Sequence, residues 1–350
     1  MGPMRAIVNT AADPARVPPP STEAGAFHAG MAGYRPTPVR DLPAVAGELG
    51  LGGVGLKDES NRLGLPAFKV LGASWAVERA LRERPDVRTL VAASAGNHGR
   101  AVAHVAALRG LDARIFLPGR STPGRREAIA GEGADVVVVD GAYEDAVAAA
   151  AEAAAQPDAI EIADIGDSGP ARWVIDGYHT LFAEAAAQTP HDLVLVPVGC
   201  GSLAAAAARY GAATGAAVVG VEPVTAACLS ASIAAGEPTA VETPGTTMAG
   251  LDCAEISTSA WPTLRQGMHG MITVSDAETH AAMRTLAGQG LEIGDCGAAT
   301  LAALEALATE DECEDLRRAV GMGTETGVLL VATEGASDPE GYRRIVSGPG

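Results

Sequence analysis

"DLVLVPVGCGSLAAAAARY", Asp192 to Tyr210, passes from a valine- and leucine-rich run through two glycines into an alanine-rich run. Residues 192–198 suit a strand buried on both faces, and 202–213 suit a helix. A strand that hands over to a helix through a glycine turn is the unit from which parallel sheets are built. The same punctuation recurs along the chain. Strands are predicted at 89–94, 113–119, 135–141, 192–198, 217–223 and 327–335, alternating with helices at 97–109, 123–132, 143–155, 173–188, 202–213 and 276–288. The expected fold class is therefore α/β, with open, mostly parallel twisted sheets flanked by helices. Residues 11–40, punctuated by Pro14, Pro18 to Pro20, Pro36 and Pro38, read as an extended lead-in rather than a packed element.

The chain has 350 residues, room for two domains or one large α/β unit. A net charge of -18 with only 25 basic residues leaves no cluster to neutralise phosphates, which excludes nucleic acid and anionic membranes as partners. The longest uncharged apolar stretch, Leu193 to Ala208, is broken by Pro197, Gly199 and Gly201, so no transmembrane helix is predicted. The opening "MGPMRAIVNT" lacks a signal-peptide core, Ala6 fails the requirement for N-myristoylation, and Gly2-Pro3 ahead of Met4 reads as a cloning remnant. Cysteines 200, 228, 253, 296 and 313 are odd in number and form no Cys-x-x-Cys. They indicate neither a disulfide framework nor a metal site, and a reducing cytoplasm is expected. The acidic run "TEDECEDL" at 309–316 reads as a solvated helix or loop.

Ligands of parallel sheets sit at the C-terminal strand ends, so the residues after each strand carry the chemistry. Gly199-Cys200-Gly201-Ser202 offers free amides, a helix N-terminus and a hydroxyl, which suit one phosphate. Ala204 and Glu222 also satisfy a loose dinucleotide pattern, which keeps a nicotinamide-dependent oxidoreductase open as a rival. Ser94-Ala95-Gly96-Asn97-His98-Gly99 follows another strand. Asn97 suits either a helix cap or a donor to a phenolate or carboxylate oxygen, and His98 suits a supporting structural group better than a base. A third strand ends on Thr333-Glu334-Gly335, and no G-x-S-x-G elbow is present.

In "PAFKVLGASWAVERAL", Pro66 to Leu81, Lys69 stands at the mouth of a helix expected from about Val70. Only Lys57 and Lys69 are lysines in the whole chain. The positive end of the helix and the apolar flank of Phe68, Val70 and Leu71 favour a neutral amine, the form that makes a Schiff base with a carbonyl. The bland alternative is a lysine that snorkels to water.

The blocks "AFKVLGAS", "SAGNHGRAVA", "PVGCGSLA", "VGVEP", "TTMAGLDCAE", "GDCGAATL" and "ATEGASDPEGYRRIV", in this order, resemble the pyridoxal-phosphate enzymes of fold type II, the tryptophan synthase β-like group. Within that group they are most like the diaminopropionate ammonia-lyases, from about Tyr34 to Val346. The resemblance implies a two-domain fold, with 1–72 and 180–350 forming a large cofactor-binding domain and 73–179 a small domain carrying the Ser94–Gly99 loop. It implies that Lys69 forms the Schiff base with pyridoxal 5'-phosphate and later removes the α-proton. Gly199, Cys200, Gly201, Ser202 and Leu203 would cup the phosphate, Phe68 would flank the cofactor, Asn97 would bond its phenolic oxygen and Thr333 would meet its pyridine nitrogen. Ser94, Ala95, Gly96, His98 and Asp164 would surround the amino-acid substrate.

The implied reaction is β-elimination from a β-substituted L-α-amino acid such as 2,3-diaminopropionate, through an aminoacrylate to a 2-oxo acid and ammonia, in a homodimer. β-Replacement on the same aminoacrylate is the alternative. Two positions depart from the group's pattern. Ala95 stands where an acidic residue usually precedes Gly-Asn-His-Gly, which points to selectivity for one enantiomer. "ADIGDSGPARWVIDGYHT" keeps Asp164, Trp173, Gly177 and Tyr178 but lacks the aromatic insert of a segment that contacts substrate, which bears on the leaving group.

Overall fold

Strands gather into two sheets, according to a computed structural model that describes residues 5–348; the Gly2-Pro3 pair lies outside the described residues. In chain order the strands are β1 (Ala6–Val8), β2 (Val39–Asp41), β3 (Gly53–Asp58), β4 (Thr89–Ala93), β5 (Asp112–Pro118), β6 (Asp135–Val139), β7 (Ala159–Glu161), β8 (Leu193–Pro197), β9 (Ala217–Pro223), β10 (Gly270–Val274) and β11 (Gly327–Ala332). The larger sheet runs β1-β10-β9-β8-β11-β3-β2, parallel except at its two edges, where β1 and β2 pair antiparallel. The smaller runs β6-β5-β4-β7 and is wholly parallel. All four of its strands fall within residues 89–161.

β8 and β9 are buried along their whole length because helices cover both faces, which is why their sequences are apolar runs, broken only by Glu222 near the end of β9. Between the sheets, helix Lys69–Glu83 lies against helix Gly169–Ala186. Glycine sets their separation. A Cβ on Gly72 would stand 2.6 Å from the Tyr178 ring, and one on Gly177 would stand 2.6 Å from the Leu71 carbonyl oxygen. The apolar core is continuous across this pair, joining Leu90 and Ile115 of the small sheet to Val194 and Leu329 of the large one.

The six predicted strands and six predicted helices all lie within a few residues of their expected places. Helix Gly169–Ala186 starts earlier than expected because the Ser168 hydroxyl caps it and Pro170 fits its first turn. The lead-in differs from its reading: residues 11–40 contain helix Glu23–Ala29, which buries Ala24 and His28, as well as β2. The His28 ring bonds Thr180, Leu71 and Ser74, so this segment is packed onto the central helix pair. The acidic run is also more than solvated: Cys313 and Leu316 are buried, and Glu310 pairs with Arg5.

Candidate functional site

The segment before Lys69 is tied to the end of β11. Phe68 N donates to Thr333 O at 3.2 Å, and Ala67 bridges Glu334. Lys69 is then the first residue of its helix. Its Nζ lies 2.7 Å from Asp164 Oδ2, with the Phe68 and Tyr178 ring centroids 5.5 and 5.9 Å away. The expected neutral amine is therefore not what this arrangement favours. Burial pulls the Lys69 amine down, but Asp164 outweighs burial and holds it above the ordinary lysine value. Burial would likewise raise the Asp164 carboxyl, yet the His98 ring and the Lys69 ammonium keep it below the usual range. Lys57 is unavailable as a rival, since it is fully buried on β3 and donates to Thr37 O and Glu184 Oε2, each at 2.7 Å.

His98 sits beside this pair. Its Nε2 is 2.6 Å from the Ile162 carbonyl, which only accepts, so Nε2 carries the proton and Nδ1 faces Asp164 Oδ2 at 3.7 Å. Burial lowers its basicity, in keeping with a supporting ring rather than a base.

The Gly199–Ser202 turn approaches from β8. Gly201 has φ +93°, and a Cβ there would stand 2.6 Å from Leu264 Cδ1, so both conformation and space require glycine. A Cβ on Gly199 would stand 2.7 Å from the Gly250 carbonyl oxygen. Ser202 opens helix Ser202–Thr214, and its Oγ donates to the Asp164 carbonyl at 2.8 Å. Cys200 Sγ is 3.8 Å from the same carbonyl, and Leu203 is buried behind the turn.

From the small sheet, the loop after β4 brings Ser94, Ala95 and Gly96 to the same region. Ser94 Oγ accepts from Gly96 N at 3.3 Å. Gly96, not Asn97, occupies the N-cap of helix Asn97–Arg109, which leaves the Asn97 amide free to donate to Glu334 Oε2 at 2.6 Å. One chain of contacts thus links Asn97, Glu334, Thr333, Phe68, Lys69, Asp164 and Ser202.

Three buried polar atoms around this chain have no partner: Thr333 Oγ1, Tyr178 Oη and His98 Nδ1. Each unpaired group costs about 1–3 kcal/mol. A polar ligand held between the lysine, the threonine hydroxyl and the glycine turn would remove part of that cost. An aldehyde-bearing heteroaromatic phosphate fits this donor set: an amine for the aldehyde, a hydroxyl for a ring nitrogen, an amide beside it, and turn amides for a phosphate. The dinucleotide rival does not fit. Glu222, its required ribose partner, is fully buried and accepts from Leu229 N, Ser230 N and Ser230 Oγ.

Glu334 and Tyr178 escaped the sequence reading as functional groups. Glu334 had only its place beside Thr333 to mark it, and Tyr178 only its place in the segment that carries Asp164. Asp295, Cys296 and Glu334 also converge, with ligand atoms within 4.8 Å of one another, which their separation in sequence concealed.

A family model for pyridoxal-phosphate dependent enzymes matches residues 31–322. Diaminopropionate ammonia-lyase of Salmonella typhimurium is 32% identical over 92% of this chain and 90% of its own. That of Escherichia coli strain K12 is 32% identical over 91% of this chain and 89% of its own. Among solved structures, the E. coli diaminopropionate ammonia lyase in complex with an aminoacrylate–pyridoxal phosphate azomethine intermediate superimposes with a TM-score of 0.89, at 29% identity, covering 99% of this chain and 97% of that one. The same E. coli enzyme in complex with D-serine gives 0.88, at 28% identity, covering 97% and 96%. With the family model spanning most of the chain, this chain belongs to the pyridoxal-phosphate dependent enzymes.

Proposed function

We propose that this enzyme eliminates the β-substituent of an L-α-amino acid, with 2,3-diaminopropionate as the substrate to test first, and releases a 2-oxo acid and ammonia. The observation that carries the reading is Lys69, the one lysine free of the buried Lys57 network, in direct contact with Asp164 and one residue from the strand-end partner of Thr333. When bound, pyridoxal phosphate supplies the electron sink that lets an amino acid lose its α-hydrogen and then its β-group.

Lys69 Nζ would hold the cofactor's aldehyde carbon, and its amine would serve as the base for the substrate's α-proton. Asp164 orients that amine. Gly199, Cys200, Gly201, Ser202 and Leu203 hold the phosphate through turn amides, one hydroxyl and the helix N-terminus. Asn97, steadied by Glu334, would donate to the phenolic oxygen, and Phe68 would flank the ring. Thr333 would meet the ring nitrogen with a neutral hydroxyl that cannot hold it protonated, which would keep charge out of the ring and suit loss of a leaving group. Ser94, Ala95, Gly96 and His98 surround the substrate carboxylate.

We further propose that residues 1–72 and 180–350 act as a large domain and 73–179 as a small one. Support comes from the four-stranded sheet lying wholly inside the second segment. A cytoplasmic homodimer is proposed on the resemblance, with five free cysteines in keeping with a reducing compartment; sedimentation would test the dimer. No helix among the described residues is long and apolar enough to cross a membrane.

Borohydride reduction followed by peptide mapping should place the cofactor on residue 69, and 2,3-diaminopropionate should yield two ammonia per 2-oxo acid. Label on Lys57, or none at all, would overturn the assignment of Lys69. Label on Lys69 with no ammonia from this substrate would overturn the substrate alone.

A further inference from the structure

Tyr178 is fully buried, yet its hydroxyl has no hydrogen-bond partner. The ring is held firmly in this position. It packs on Phe68 with centroids 4.7 Å apart, and it crosses helix Lys69–Glu83 at Gly72, where a Cβ would stand 2.6 Å from its Cε1 and 2.8 Å from its Cζ. Val174, one turn earlier on the same helix as Tyr178, also closes on Gly72. The hydroxyl end is near Lys69, whose ammonium is 5.9 Å from the ring centroid and acts on the phenol, but the ammonium is already held by Asp164 and does not meet hydrogen-bond geometry with the hydroxyl.

A phenol this confined cannot turn its hydroxyl to water. Leucine or phenylalanine would fill the space without leaving a donor unpaired. The hydroxyl is thus a cost to the fold unless something else completes it. Burial raises the phenol, and the charges that act on it are the Lys69 ammonium, then Asp164 and Cys200, so the side on which a ligand would complete the hydroxyl is the Lys69 side.

We infer that Tyr178 is a positioning residue for the cofactor, its hydroxyl donating to an acceptor on pyridoxal phosphate bound at Lys69. This rests on the reading of Lys69 and the glycine turn given above. No covalent step is involved. The hydroxyl fixes the distance between the lysine end of the site and the bound ring, while the Phe68 contact and the Gly72 notch fix the hydroxyl.

The test compares Tyr178→Phe with the unaltered protein, each stripped of cofactor and then titrated with pyridoxal phosphate by absorbance, with thermal unfolding recorded in both states. A stripped variant at least as heat-stable as the parent, combined with about tenfold weaker cofactor binding, is expected. A purely structural tyrosine gives the opposite pattern: lower stability when stripped and unchanged affinity. Unchanged affinity overturns the inference. Gly72→Ala, which keeps the hydroxyl but pushes the ring, should also weaken binding, so full affinity in that variant would count against it. Both outcomes are read only where the unaltered protein binds pyridoxal phosphate on Lys69. Failure there overturns the cofactor site itself and is told apart by the unaltered protein alone.

Discussion

Lys69 and Asp164 are 95 positions apart in the chain, and their meeting makes the lysine an ammonium where local sequence favours an amine. The helix N-terminus and apolar neighbours were legible; a carboxylate arriving from the chain after β7 was not. Each side chain is largely buried, at 21% and 16% exposure, so neither charge is well solvated without the other. Removing one leaves the other unpaired, at a cost of about 3 kcal/mol. Lys69→Ala should therefore abolish cofactor attachment and turnover and also destabilise the cofactor-free fold at neutral pH. The sign with pH follows from the shifts. Asp164 is lowered, so its contribution is present above the ordinary value of 3.8 and is lost as pH falls through its native value; Lys69 is raised, so its contribution is lost only in strong alkali. Urea denaturation of the stripped proteins should show the gap between parent and Lys69→Ala at pH 7, narrowing toward pH 3. A gap that stays constant would mean that lost packing, not lost charge, is responsible.

At the level of elements, what could be read depended on contrast. β8 and β9 announce themselves because both faces are buried and every residue but Glu222 is apolar or small. β3, "GVGLKD", lies between β11 and β2 in the same sheet but carries both glycine and charge, and its buried Lys57 is made tolerable by Thr37 O and by Glu184, some 127 positions away. Helix Asp295–Thr309 is buried nearly all round, so it lacks the apolar stripe that marks a helix in sequence. Glu222 illustrates the opposite error, a motif match with a structural use. Its carboxylate caps helix Cys228–Ala235, whose N-cap residue, Ala227, has no side-chain bond to offer. Burial pushes this carboxyl up from 4.5 to about 7. A raised acid binds its proton more tightly in the fold than in the unfolded chain, so stability falls as pH rises through that interval, by at most about 3 kcal/mol. Glu222→Gln, which does not titrate, should gain on the parent between pH 5 and pH 8 in parallel urea titrations. No relative change across that range would show that the carboxylate is already charged at pH 5.

Across the whole molecule, the groups proposed to meet the substrate come from opposite sheets. Lys69 enters from the segment tied to β11 of the large sheet, whereas Ser94, Ala95 and Asn97 arrive from the end of β4 in the small one. A substrate lying between them presents its α-hydrogen to one side or the other according to its configuration. On the large-sheet side stands Lys69, the base proposed above, which must first give up the proton that Asp164 holds on it. On the small-sheet side, Ala95 offers nothing, although the family pattern places an acid there. Asp164 is held at 2.7 Å by the lysine itself and kept below the ordinary carboxylate range, which makes it a poor base for the opposite hydrogen. The L-enantiomer of 2,3-diaminopropionate should therefore be turned over faster than the D-enantiomer, by about a hundredfold or more, the usual worth of a positioned base. Binding is a separate matter: the E. coli relative is known in complex with D-serine, so binding and turnover of the D-enantiomer are to be measured apart. Side-by-side rates on the two enantiomers, followed by 2-oxo acid release, test the expectation. Ala95→Asp should raise the D-rate and leave the L-rate within a few fold, because it adds a base on the empty side without touching Lys69. Equal rates on both enantiomers in the parent would establish a second base already in place and overturn the argument from Ala95.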